Sequence, residues 1–147
     1  MSPANCSGTR AKQILSPNAE FALACELRSR RGAMLGDVFA SVSGLYFRGK
    51  LTYAMRFAAP PERDNPIIGC GVHVITPNAG LRCPDTYVTG RALRAFATAD
   101  VHQENVEYRR PLERVAVVVL SLYVLAALVG IGIVLGAVII VEWPRVF

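Results

Sequence analysis

The sequence predicts an α+β or partial α/β protein: a small, mostly helical cytoplasmic domain with few strands, followed by one C-terminal transmembrane helix. Three observations carry this. An uncharged run of 27 residues extends from Val115 to Val141, between Arg114 and Glu142. The 52% hydrophobic content of the chain is inflated by that run, and what precedes it has ordinary soluble composition. Helical periodicity recurs in this head, whereas one short apolar stretch, Ile67–Ile75, reads as a strand. The expected organisation is a flexible N-terminus (1–14), an α/β-like domain (15–100), a linker (101–110), a membrane helix (111–142) and a short non-cytoplasmic tail (143–147).

The first helix is expected after Ser16, a suitable N-cap, with Pro17 in the first turn. Phe21, Ala24, Cys25 and, one row over, Leu23 and Leu27 supply its apolar side. Arg28, Arg30 and Arg31 suit its negative dipole end, and Gly32 suits the position beyond the cap. One or two further helices follow to Pro60-Pro61. Asp37 or Gly36 caps the first, and Val38, Phe39 and Val42 recur at helical spacing. Leu51, Ala54, Met55 and Ala58 do the same in the second. Tyr46, Phe47 and Tyr53 read as core aromatics rather than a binding surface.

The apolar stretch Ile67–Ile75 lies between Pro66 and Pro77, the pattern of a buried strand. The loop Thr76–Asp85 after it is rich in Pro, Gly, Asn and Asp. Loops at the C-terminal ends of strands are where open α/β sheets bind ligands, which makes Thr76, Asn78, Gly80 and Asp85 candidate polar contacts. Plain turn chemistry is the competing reading. His73 has no second metal ligand near it in sequence and reads as a structural histidine. A short helix capped by Thr89 follows, with Leu93, Phe96 and Ala97 inward.

The uncharged run reaches about 40 Å as a helix, against a hydrocarbon layer of about 30 Å. It has no polar stripe: Ser121 and Tyr123 fall on opposite sides. Pro111 suits the first helical position. Arg109, Arg110 and Arg114 precede the run, and only Arg145 follows it, so the head is expected on the cytoplasmic side of the inner membrane. Trp143 is placed to anchor the far interface, and the chain reads as tail-anchored. Ala126/Gly130 and Gly132/Gly136 are small residues four apart, the spacing that lets a second helix backbone approach closely. Glycine is also simply frequent in membrane helices.

The net charge of +5 lies wholly before the run, because Glu142 and Arg145 cancel. The clusters Arg28/Arg30/Arg31 and Arg48/Lys50/Arg56 read as a solvated face. Beside a membrane helix they suit lipid headgroups better than nucleic acid, and no nucleic acid is expected. Cys6, Cys25, Cys70 and Cys83 form no C-x-x-C pair and match no zinc spacing, and no apolar leader precedes them. Free thiols in a reducing cytoplasm are expected, with no metal and no cofactor. No P-loop, paired-carboxylate site or nucleophile–base pair is recognisable, so no catalytic residue is assigned.

The segments "VSGLYFRGKLTYAMRFA", "VHVITPNAGL", "PDTYVTGRALRAFA" and "YRRPLER" resemble successive segments of an uncharacterised family of soluble bacterial proteins of Rossmann-like appearance. The resemblance spans about Leu15–Arg114. It implies a shared ancestry but no activity that can be transferred, and the family continues after "PLER" as a soluble helix and more sheet, where this chain enters its apolar run. With one strand legible, a doubly wound nucleotide site is incomplete. The expected function is a non-enzymatic accessory subunit of a larger membrane complex, its partners the bilayer and other transmembrane subunits. The alternatives are a membrane-tethered nucleotide- or small-ligand-binding domain or enzyme, and an altered relative of the soluble family.

Overall fold

The computed structural model describes residues 4–142, with side chains through residue 131. In chain order the elements are α1 (Thr9–Leu15), α2 (Ala22–Arg28), β1 (Ala33–Met34), α3 (Leu35–Ser43), α4 (Leu45–Phe57), β2 (Val74–Thr76), β3 (Gly80–Arg82), β4 (Tyr87–Val88), α5 (Gly90–Thr98) and α6 (Val106–Glu142). The head is small and mostly helical with few strands, and one long apolar helix closes the chain.

The core forms around α3. Leu35, Val38, Phe39 and Val42 recur at i, i+3, i+4 and i+7 and are all buried. The Phe39 ring meets Phe47 of α4 edge-on, with centroids 5.9 Å apart, and Phe96 of α5 at 6.0 Å. Ala4, Cys6, Ala11 and Ile14 of the N-terminal segment and α1, Leu27 of α2, and Ala33, Ala40, Val74, Val88 and Leu93 complete the cluster. Residues 9–14, expected in a flexible N-terminus, therefore belong to a helix that buries two apolar residues on the core.

Helix α2 starts later than its Ser16–Pro17 signal. The Arg28 guanidinium folds back to donate to the carbonyls of Ser16, at 3.0 Å, of Pro17 and of Ala19, so residues 16–21 wrap around it as a bend. At Gly32 the backbone has φ +82° and runs so close to Val88 that a Cβ would strike the Val88 carbonyl. That approach lets β1 pair with β4, antiparallel, with Ala33 opposite Val88 and Met34 opposite Tyr87.

Two sequence expectations are corrected here. Ile67–Ile75 is not one strand. Asn65 Oδ1 accepts the backbone N–H of Ile67 (2.9 Å) and of Ile68 (3.3 Å), which turns the chain, and Gly71 turns it again at φ +64°. Only Val74–Thr76 is extended, and it pairs antiparallel with β3 as Val74↔Arg82, Ile75↔Leu81 and Thr76↔Gly80. The loop Thr76–Asp85 is thus half hairpin, and both sheets among the described residues are two-stranded and antiparallel. Tyr46 and Tyr53, expected in the core, are 74% and 68% exposed; only Phe47 of that aromatic group is buried.

The expectation of four free thiols fails for one pair. Cys70 and Cys83 form a disulfide with a Cα–Cα separation of 6.2 Å, whereas Cys6 is free and buried and Cys25 free and exposed. The hairpin brings together cysteines that are distant in sequence, which a reading of Thr76–Asp85 as open loop could not foresee.

Candidate membrane-anchoring surface

Helix α6 begins earlier than Pro111. Asn105 Oδ1 accepts the Glu107 N–H at 2.9 Å, which satisfies one of the orphan donors of the first turn, while Asn105 Nδ2 donates to the Asp100 carbonyl. The expected linker is therefore partly helical, and Pro111 lies inside the helix. There its ring removes one i→i−4 hydrogen bond. The helix has 37 residues. At about 1.5 Å each, it is nearly twice as long as a hydrocarbon layer of about 30 Å requires.

Over its described length the helix has a window of mean hydropathy 2.4, none of which is buried. Val117, Leu120, Leu125, Leu128 and Ile131 are all more than half exposed. A core helix of a water-soluble protein buries its apolar side; this one presents apolar side chains all round. Exposed apolar surface on this scale marks a contact with lipid or protein. Gly130 stands open, since a Cβ built there meets nothing within 4 Å. Ala126 is half-buried. The side-chain surroundings of Gly132 and Gly136 and the placement of Trp143 lie outside the described residues.

The base of the helix is fixed to the head by the hairpin. Gly80 has φ +69° and faces the helix backbone so closely that a Cβ would lie 2.5 Å from the Pro111 carbonyl oxygen and 3.3 Å from Val115 Cγ2. Thr76 holds the turn from inside. Its buried hydroxyl donates to the Gly80 carbonyl at 2.8 Å and accepts the Ala79 N–H at 3.1 Å. Asn78 Nδ2 donates to the Ala95 carbonyl at 3.0 Å, tying the turn to α5. Three of the four candidate ligand residues thus build a bracket between α5 and α6. The fourth, Asp85, is exposed and borders a separate groove of about 530 Å³ beside Gly36, Leu51, Met55 and Pro84. The loop chemistry was legible as turn chemistry; that the turn receives a helix was not.

The chain matches no known protein family, no curated protein and no solved structure. The surface itself therefore has to carry any functional reading.

Three arginines stand at the base of α6. Arg109 pairs with Glu113 at 2.9 Å across one exposed turn, and Arg110 and Arg114 are also exposed. On the head, α4 presents an unpartnered stripe at i, i+4, i+7 and i+11: Tyr46, Lys50, Tyr53 and Phe57. Lys50 Nζ lies 4.3 Å from the centre of the Tyr46 ring, and the Tyr53 and Phe57 rings are 4.6 Å apart. Of the sequence-derived basic cluster, Arg48, Lys50 and Arg56 all reach solvent on this helix.

Proposed function

We infer that this chain is a single-pass, membrane-anchored accessory subunit of a larger membrane complex, with α6 packing in the bilayer and the head bracing the cytoplasmic face. The observation that carries the reading is α6 itself: long enough to cross, apolar in its run, and unburied over its most apolar window among the described residues. The arginines Arg109, Arg110 and Arg114 support a cytoplasmic head in the inner membrane, because basic flanks are retained on that side. The rigid bracket at Gly80 supports a head held at a fixed height over the bilayer rather than on a slack tether. The stripe on α4 combines aromatic rings with cationic side chains, the composition that suits a headgroup layer or the rim of a protein partner. Small single-helix subunits of this shape occur in respiratory and photosynthetic assemblies, an analogy of architecture only.

Helix packing in lipid relies on small residues that let backbones approach, which gives Ala126, Gly130, Gly132 and Gly136 their role in this reading. The test is native electrophoresis of membranes dissolved in mild detergent. The wild-type chain should migrate with a larger complex. The Gly132→Leu/Gly136→Leu variant should migrate alone while resisting alkaline carbonate extraction. Migration of the wild type as a free chain, or its release by carbonate, would overturn the proposal.

A further inference from the structure

The base of the hairpin carries a second chemistry. Cys70 precedes β2, Cys83 follows β3, and His73 sits between them, three residues after Cys70. His73 immediately precedes Val74, and Cys83 immediately follows Arg82, the antiparallel partner of Val74. One ligand atom from each of Cys70, His73 and Cys83 lies within 4.8 Å of the others, and His73 Nε2 is 3.8 Å from Cys70 Sγ. All three residues are half-buried. His73 and Cys83 face a cavity of about 380 Å³ that continues to Ile67, Leu81, Arg114 and Val118 of the α6 base.

We propose that the reduced Cys70–Cys83 pair, with His73, binds a thiophilic divalent ion of the zinc class, and that oxidation to the disulfide expels it. Two thiolates and one imidazole are the donor set that borderline-soft ions prefer over magnesium or calcium. Zinc–sulfur and zinc–nitrogen bonds of about 2.3 and 2.0 Å set ligand atoms roughly 3.5 Å apart in a tetrahedron, close to the observed spacing of His73 and Cys70. Three protein ligands leave the fourth position open, here toward the cavity. His73 Nε2 also lies 2.8 Å from the Ile67 carbonyl. Binding through this nitrogen exchanges that contact for the metal, with the ring proton carried on Nδ1.

The switch balances with a disulfide of the glutathione class as oxidant. The two bound thiolates lose two electrons and form the Cys70–Cys83 bond. The oxidant takes up the two electrons together with two protons from water and leaves as two thiols, and the ion departs as the dication. Metal and disulfide are thus alternative ways of closing the same hairpin.

The test is a cobalt titration of the full chain in detergent, after reduction with a phosphine. Reduced wild type should bind one Co²⁺ per chain with tetrahedral d–d bands and a thiolate charge-transfer band, and zinc should displace it. The disulfide form should bind none, a comparison that needs no substitution. Outer-shell changes at such sites weaken binding about 10–100-fold, so His73→Ala, which removes a direct ligand, should weaken it at least about 100-fold. Cys70→Ser and Cys83→Ser should each remove the charge-transfer band, and Cys25→Ser should leave it intact. Circular dichroism confirms that each variant is folded. The proposal is overturned if the reduced wild type shows no thiolate–cobalt band, if the disulfide form binds equally well, or if His73→Ala binds with wild-type affinity.

Discussion

Gly80→Ala should detach the head from the base of α6. Two costs add at this position. The residue has φ +69°, and an L side chain in the left-handed region costs about 1–2 kcal/mol. The new Cβ would also lie 2.5 Å from the Pro111 carbonyl oxygen, where a carbon–oxygen contact settles at about 3.3 Å. Hairpin and helix must therefore separate by roughly 0.8 Å, and the obstacle is backbone, which cannot rotate away. Overpacking of this kind costs about 1–3 kcal/mol, for a total of about 2–5 kcal/mol. For a domain of this size each kcal/mol lowers Tm by about 4–8 °C, so Tm should fall by at least about 8 °C. Gly49→Ala is the matched control. It sits inside α4 with nothing within 4 Å of a new Cβ, and the same change there should stabilise by about 0.5–1 kcal/mol. Thermal unfolding of the full chain in one detergent, followed by circular dichroism, reads both. Trypsin cleavage after exposed Arg82 should also accelerate in Gly80→Ala alone. A Gly80→Ala melting point equal to that of wild type would refute the bracket.

Two further outcomes test other parts of the molecule. Leu128→Arg places a charge near the middle of the apolar run, where the insertion penalty is about 2.5–3.5 kcal/mol, so the fraction of chain resisting carbonate extraction should drop sharply. Unchanged extraction would mean that α6 is not in lipid. Burial pushes the Cys6 thiol from 9.0 up to about 11. The folded chain then keeps a proton that the unfolded chain releases, so this contribution to stability is complete below about pH 9 and lost as pH rises through about 11. Denaturant unfolding across that window should show wild type losing stability more steeply than Cys6→Ala, and a slope unchanged by the substitution would contradict the assigned burial.

What could be read from sequence was local. The α3 face Val38, Phe39 and Val42 is buried as expected and Thr89 stands at the start of α5, but α3 begins at Leu35 after Met34, so the cap expected at Gly36 or Asp37 lies inside its first turn. The same rule failed on α4, because periodicity reports that a helix has two faces without saying how many neighbours arrive to cover them. Phe47 found Phe39 of α3, whereas Tyr46 and Tyr53 meet only Lys50 and Phe57 of their own helix and stay exposed. The hairpin was hidden for a different reason. Its strands are three residues each, too short for alternation to register, and its register depends on Gly80 meeting Pro111 thirty-one positions later. With the hairpin unseen, Cys70 and Cys83 had no reason to be neighbours. The apolar run was the clearest signal, since it needs only composition and length.

The charges below the head and the sulfur chemistry within it constrain each other. Basic residues at 109, 110 and 114 favour a head on the reducing side of the membrane, where the glutathione pool opens accessible disulfides. A disulfide closing thirteen positions is worth about 3 kcal/mol by loop entropy. Its reduction loosens residues 66–73 at the hairpin that carries α6, unless something else spans Cys70 and Cys83. A bound ion does so without an oxidant, which gives the metal site a structural reason to exist under the proposed orientation. Exposed Cys25 reports that orientation directly. In intact cells a membrane-impermeant maleimide should leave Cys25 unlabelled, and after lysis it should label Cys25 together with thiols at Cys70 and Cys83 once metal is chelated. Labelling of Cys25 in intact cells would place the head outside, where the disulfide persists and the reduced site never forms.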